Sequence, residues 1–358
     1  MSYPLERNYG CRISDAYTYQ GLKTIIMENE ILRVTILVDK GTDIFEFLYK
    51  PEDIDFMWRA PRGVCLPSKY IPSSAQSSGF FMDYYEGCWQ EILPNGGSAC
   101  VYRGAELGQH GEVSLIPWNY QILEDRPEKV SVKFWVRTPR SPFYLEKVLS
   151  LESNKAILFI EEIVENEAEE EMELMWGHHP AIGPPFLDEN CVIDTPAKRV
   201  LIHTPKYHPN SRLREGKEFD WPEVVGRKGE KIDLSLIPSS SLRVADLCYL
   251  KELEEGWYAL TNTKKGVGFG LVFDQEVFPY IWYWQEFKGG SGYPWWGKTY
   301  NIALEPWSSY PASGILEAIK SSTQIRLKPK EKKRAWLRAV VYSNIKRVKR
   351  ISPEGKVE

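Results

Sequence analysis

Along most of this chain apolar and polar residues alternate with a period of two, the spacing of half-buried strands rather than helices. Leu32, Val34, Ile36 and Val38 share one face of a first strand. Asp39-Lys40-Gly41 then supplies turn chemistry, and residues 43–49 return as the second arm of a hairpin. Val130, Val132, Phe134 and Val136 alternate in the same way, and residues 144–152 and 156–164 follow after polar turns. Further on, residues 257–261, 267–273, 278–284, 302–305, 324–327 and 335–342 read as strands. The best helical candidate, residues 315–322, is short. Residues 51–100 are rich in Pro, Gly, Ser and aromatics and show little period. So long a stretch in a compact domain points to function or to short hidden strands. Within it, residues 89–97 read as a strand ending in a tight turn, and residues 184–245 form a second loop-rich region.

Many short strands and few helical segments predict an all-β fold, a large sandwich or barrel. No break in composition divides the 358 residues, so one domain is expected over residues 1–345. Residues 1–20 make an irregular or edge-strand lead-in, and residues 346–358 are a basic tail expected to fray.

The net charge of −4 comes from interspersed signs, 45 Lys and Arg against 49 Asp and Glu. Phosphate binding needs a clustered basic surface, so nucleic acid is not the expected partner. No apolar run is long enough to cross a bilayer as a helix, so no membrane partner is expected. Residues 1–6 lack a signal layout, which makes the expected location cytoplasmic. The six cysteines show no CxxC pair. In a reducing compartment they are expected as thiols, with a Cys88–Cys100 disulfide left open. The 13 Trp exceed what a core of this size requires and suggest a surface for ligands with flat apolar faces.

Three stretches place a titratable residue where a strand gives way to Gly or Pro, where a rigid sheet presents a side chain to a cleft. They are Gly108-Gln109-His110-Gly111 with Pro117-Trp118, Trp176-Gly177-His178-His179-Pro180, and Ile302-Ala303-Leu304-Glu305-Pro306-Trp307. Together His110, His179 and Glu305 form a candidate acid/base set. His178 and His179 are neighbours, so on a strand they point to opposite faces and do not chelate one metal together. A carboxylate in the apolar run before Pro306 is costly to bury unpaired, which makes Glu305 either half of an ion pair or a general base. Trp282 and Trp284 share a strand face, and a Gly-rich loop carries Trp295 and Trp296. Aromatic planes suit the CH-lined face of a sugar ring, although one of the first two is expected in the core.

In this order, His-Gly then Pro-Trp, a strand-end His, and a strand finishing Leu-Glu-Pro, the motifs resemble the aldose 1-epimerase (galactose mutarotase-like) family. The resemblance runs from about Ile25 to Val341. It implies a β-supersandwich of large twisted antiparallel sheets and a cofactor-free, metal-free interconversion of α and β anomers of a free sugar. It assigns Glu305 as base, His179 as acid and His110 as a hydrogen-bonding partner of the sugar. Asp246 is its candidate sugar-binding aspartate, and Arg103 is a positional stand-in for an Asn-Arg motif that is absent here. His178, Trp282, Trp284, Trp295 and Trp296 complete the expected binding set. Ala181-Ile182 replaces the family's Tyr-Phe, which marks a divergent branch. The expected partner is a mono- or oligosaccharide, bound by a monomer or homodimer.

Two other readings stay open. A non-catalytic sugar-binding protein would keep the Trp surface without needing Glu305. A glycoside hydrolase needs paired carboxylates across a cleft, for which Asp83, Glu86 and Glu91 are candidates. A polysaccharide lyase would show a Tyr/His pair with basic residues instead. A cupin-like metal enzyme is disfavoured because it wants His-x-His on one strand face.

Overall fold

The computed structural model describes residues 7–66 and 77–358. Among them the chain forms two large antiparallel sheets, one of 13 strands and one of eight. Five strands at the centre of the larger sheet carry the argument that follows. They are β1 (Trp89–Ile92), β2 (Gly177–Ile182), β3 (Val244–Leu253), β4 (Tyr280–Phe287) and β5 (Tyr300–Trp307). In space they run β1-β2-β5-β4-β3. Chain order and spatial order differ, so distant sequence segments become neighbours.

The sheets pack through aromatic edges. Phe47 and Trp89 of the large sheet meet Phe269 of the small one at 5.6 and 6.4 Å between ring centroids. In the small sheet, residues 143–152 alternate strictly between buried and partly exposed, the pattern of a sheet with one wet face. By contrast β1, β2 and β5 are buried along their whole length. One of their faces meets the small sheet, and the other floors a cavity.

The lead-in takes the edge-strand form, since residues 12–14 and 18–19 both pair with the strand Leu22–Glu28. Other expectations change. The region 51–100 holds a two-residue strand at 54–55 and a helix, α1 (Ser77–Tyr84). Its Ser-Ser-Gly-Phe-Phe sequence offers no amphipathic stripe to read. Residues 67–76 of that region lie outside the described part. The tail does not fray. Asp194 accepts bonds from the Arg347 side chain and the Val348 N–H, and Val348 and Ile351 are buried beside Trp257 and Tyr342. All six cysteines are free thiols, with no Cys88–Cys100 bond. No helix among the described residues is long and apolar enough to cross a membrane.

Candidate active site

Register decides which side chains meet. Between β2 and β5, Gly177 pairs with Trp307 and Ala181 with Ala303, which sets His179 beside Glu305. Between β5 and β4, Glu305 lies opposite Trp282, and between β4 and β3, Trp282 lies opposite Tyr249. Residues directly opposite share a face. His179, Glu305, Trp282 and Tyr249 therefore form one row across four strands. The next row is Ala181, Ala303, Trp284 and Leu247, and its two small residues leave room over the sheet.

Above these rows lies a cavity of about 300 Å³. His179, Glu305, Trp284 and Trp295 line it, with His110 and His203. The volume sits at the lower end of the range for small-ligand sites.

Glu305 is 2% exposed. Its Oε2 accepts the Trp307 indole N–H at 2.8 Å, and its Oε1 lies 3.5 Å from His179 Nε2. Trp307 is held from both sides. It stacks on Trp282 at 4.0 Å and lies flat on Gly177, where a Cβ would come within 2.3 Å of its ring. That close approach explains the glycine before the His-His pair. Burial pushes the Glu305 carboxyl well above the usual carboxylate range, with the Trp307 bond opposing weakly. Burial also lowers His179, to about 4. Both shifts disfavour the charged forms, and at 3.5 Å a proton can pass from one group to the other. The Tyr85 hydroxyl contacts His179 Nδ1 at 3.3 Å and steadies the ring.

Two more imidazoles face the cavity with fixed tautomers. His110 sits on its loop in the left-handed region, φ 49°, a conformation uncommon outside glycine. Its Nδ1 accepts the Gly97 N–H at 3.3 Å, so Nε2 carries the proton. Burial, and then the charge of His179, hold it well below the ordinary histidine range. In the second case Tyr249 accepts the Ala312 N–H at 2.9 Å and donates its own proton to His203 Nδ1. His203 Nε2–H is thus a donor, and burial lowers this ring to about 4. The chemistry available is one proton-sharing acid/base pair flanked by two neutral N–H donors and walled by indoles.

Of the residues singled out in the sequence, His110, His179, Glu305, Trp282, Trp284 and Trp295 line this cavity together. Trp282 is a wall, though, and not a stacking platform, because it is 1% exposed and its N–H is tied to the Ser309 carbonyl. Trp296 is 63% exposed and stands outside, at a neighbouring hollow.

Three expected binding residues lie elsewhere. His178 points between the sheets, where its Nδ1 accepts the Trp89 N–H at 3.2 Å and its Nε2 lies 3.0 Å from Glu162. Asp246 pairs with Gln285 on the opposite face of β3 and β4 from Trp284. Its oxygens are taken by Ser211 Oγ, the Arg212 N–H and Arg212 Nε at 2.7–3.0 Å. It anchors the loop that brings Tyr207 to the cavity and does not face the cavity itself. Arg103 pairs with Glu170 and Glu173 on the surface.

The hydrolase candidates do not converge either. Asp83 is held by Arg62 and Tyr293, Glu86 by Lys40, and Glu91 by Lys147 between the sheets. Among the described residues lining the cavity, Glu305 is the one carboxylate. Glu91, Glu162 and His178 do bring candidate metal-ligating atoms within 4.8 Å of one another. Sequence spacing gave no hint of that cluster, and the Lys147 ammonium already stands 2.9 Å from Glu91.

Sequence reasoning missed His203, Tyr249 and Tyr85. His203 carried a usable signal. It follows the strand Ala197–Ile202 and precedes Thr204-Pro205, the same strand-end character as the three stretches singled out.

Known proteins share this architecture. A candidate aldose 1-epimerase from Klebsiella pneumoniae superimposes with a TM-score of 0.71 at 14% identity, covering 94% of this chain and 84% of that one. A galactose mutarotase-like protein from Clostridium acetobutylicum gives 0.63 at 16% identity, with 93% and 99% covered. A galactose mutarotase related enzyme from Lactobacillus acidophilus gives 0.61 at 18% identity, with 90% and 98% covered. At such identities the likeness establishes the fold, which is galactose mutarotase-like. No curated protein matches the sequence. A family described as a domain of unknown function, DUF4432, matches residues 19–341, and the chain belongs to that family.

Proposed function

We propose that this protein interconverts the anomers of a free sugar by acid/base ring opening and reclosure. The observation that carries the proposal is the Glu305–His179 pair, 3.5 Å apart at the floor of an indole-walled cavity.

In the reactive state the shared proton sits on His179 and Glu305 is a carboxylate. Glu305 takes the proton from the anomeric hydroxyl while His179 gives its proton to the ring oxygen. The bond from C1 to the ring oxygen breaks, and the bond from C1 to its own oxygen becomes a carbonyl. The proton count of the pair is unchanged, with the proton now on Glu305. Rotation about C1–C2 presents the other face of the aldehyde. Reclosure returns both protons and yields the opposite anomer. Both oxygens are bonded to one carbon, which suits an acid and a base held side by side. The N–H groups of His110 and His203 are placed to donate to sugar oxygens, and Trp284 and Trp295 offer apolar surface to the ring. The histidine and carboxylate suffice for both proton transfers, so the step calls on no metal and no cofactor.

A single catalytic carboxylate favours this reaction over glycoside hydrolysis, which uses two. The test is saturation-transfer NMR on a panel of free aldoses with wild type and Glu305→Gln. Wild type is expected to speed anomer exchange, and the variant to lose ~10²–10⁴-fold of that rate while still binding sugar. Full activity in Glu305→Gln would sink the mechanism. Sugar binding without any exchange in wild type would instead support a non-catalytic binding protein.

A further inference from the structure

Beside the cavity lies a second hollow of about 200 Å³. The two share Met82, Tyr85 and Trp295 in their linings, so they adjoin at Trp295. The far side of the second hollow is made by Trp296, Arg62 and Lys298.

Trp296 is unusual in two independent ways. It is the most exposed tryptophan of the described chain, at 63%. Its backbone also adopts φ 53°, in the left-handed region that strains a bulky residue and persists only where the surroundings impose it. Here the surroundings are visible. The Trp296 N–H donates to Gly292 O and the Gly297 N–H donates to Gly290 O, both at 2.7 Å, closing a tight loop. At its base Gly290 lies against Trp295 and the Glu286 carboxyl, where a Cβ would clash at 2.7 and 2.9 Å. The loop thus buries one indole as the wall of the first cavity and holds the next one out in solvent at the edge of the second. No core packing requires that second indole to be aromatic.

We infer that the second hollow is a binding subsite for a second sugar ring, so that the preferred ligand is a reducing disaccharide or longer chain rather than a monosaccharide. This rests on the proposed function for the placement of the reducing ring over Glu305 and His179. The second ring then stacks on Trp296, with Arg62 and Lys298 as N–H donors to its hydroxyls. Arg62 is steadied by Asp83 at 3.1 Å, and no carboxylate lines the hollow among the described residues.

The test is equilibrium binding by calorimetry, which needs no turnover. The probes are glucose and galactose against their reducing disaccharides with α and β linkages at positions 3, 4 and 6. At least one disaccharide is expected to bind about tenfold tighter than its own reducing monosaccharide, and Trp296→Ala is expected to bring that ratio towards one. Circular dichroism and thermal melting of Trp296→Ala check that the loop variant is folded, and Trp296→Phe is expected to keep most of the ratio. If no disaccharide on the panel exceeds its monosaccharide threefold, the subsite is refuted. If the gain survives unchanged in folded Trp296→Ala, it is refuted equally. Disaccharide binding without anomer exchange would keep the subsite and remove the proposed reaction, whereas exchange with no disaccharide preference would do the reverse.

Discussion

His178 and His179 are adjacent on one strand and end in opposite chemical settings. His178 enters a closed polar cluster between the sheets. Trp89 donates to one ring nitrogen, the other lies 3.0 Å from Glu162, and next to them Lys147 and Trp176 hold Glu91. His179 faces a cavity, contacts Tyr85 through one nitrogen, and meets Glu305 through the other at 3.5 Å, longer than a good hydrogen bond. The first cluster satisfies its ring nitrogens and is built to stay as it is. The second leaves a proton with two nearby homes and an open side from which a ligand can approach. Histidine and glutamate are common to both, so what separates structure from chemistry is access from the cavity.

Exchanging which histidine is lost gives the sharpest contrast. His179→Asn is expected to lower the anomer exchange rate by ~10²–10⁴-fold, read by saturation-transfer NMR, with little change in melting temperature. His178→Asn removes the partner of buried Glu162 and is expected to cost about 1–3 kcal/mol in denaturant unfolding, with the rate per folded molecule retained. The opposite pattern would mean that the two faces have been exchanged.

A second, smaller effect is the pH profile. The pair gains its second proton only as pH falls towards about 4, the value to which burial lowers His179. The exchange rate is then expected to run level through pH 6.5, where an ordinary histidine titrates, and to fall near pH 4. An inflection centred on 6.5 would break the shared-proton picture. The smallest effect belongs to Tyr249→Phe, which removes the donor to His203 Nδ1 and frees that ring's tautomer. A loss of about 1 kcal/mol, roughly fivefold in kcat/KM, is expected from progress curves at low sugar concentration. No loss would make His203 a bystander in the wall.

Much of this was legible in the chain. Period-two alternation gave the strands, because a sheet with one buried face imposes that pattern directly. Glu305 and His179 were legible because a charged or titratable group among apolar strand residues has to be explained by a partner. Parity placed the two histidines on opposite faces but could not say which face held the cavity, so His178 was counted as a binding residue. Asp246 failed for the same reason. Its strand, next to a loop-rich region, goes unread in the sequence, and its face is set by pairing with Gln285, a contact between residues 39 positions apart. The helix at 77–84 was invisible because it lacks an apolar stripe. The tail at 346–358 reads as frayed because its few apolar residues, Val348, Ile351 and Val357, find their partners in the cluster of Trp257 and Tyr342.

The row His179–Glu305–Trp282–Tyr249 has one more implication. Its spacing is written in the hydrogen-bond ladder, while the walls above it, the loops around His110, Tyr207 and Trp295, hang from strand ends. Reactivity and selectivity are therefore inherited separately. If the proposed reaction holds, loop grafting among related scaffolds should change which sugar is taken without disturbing the Glu305–His179 pair, because the ladder tolerates no slip and the loops tolerate much.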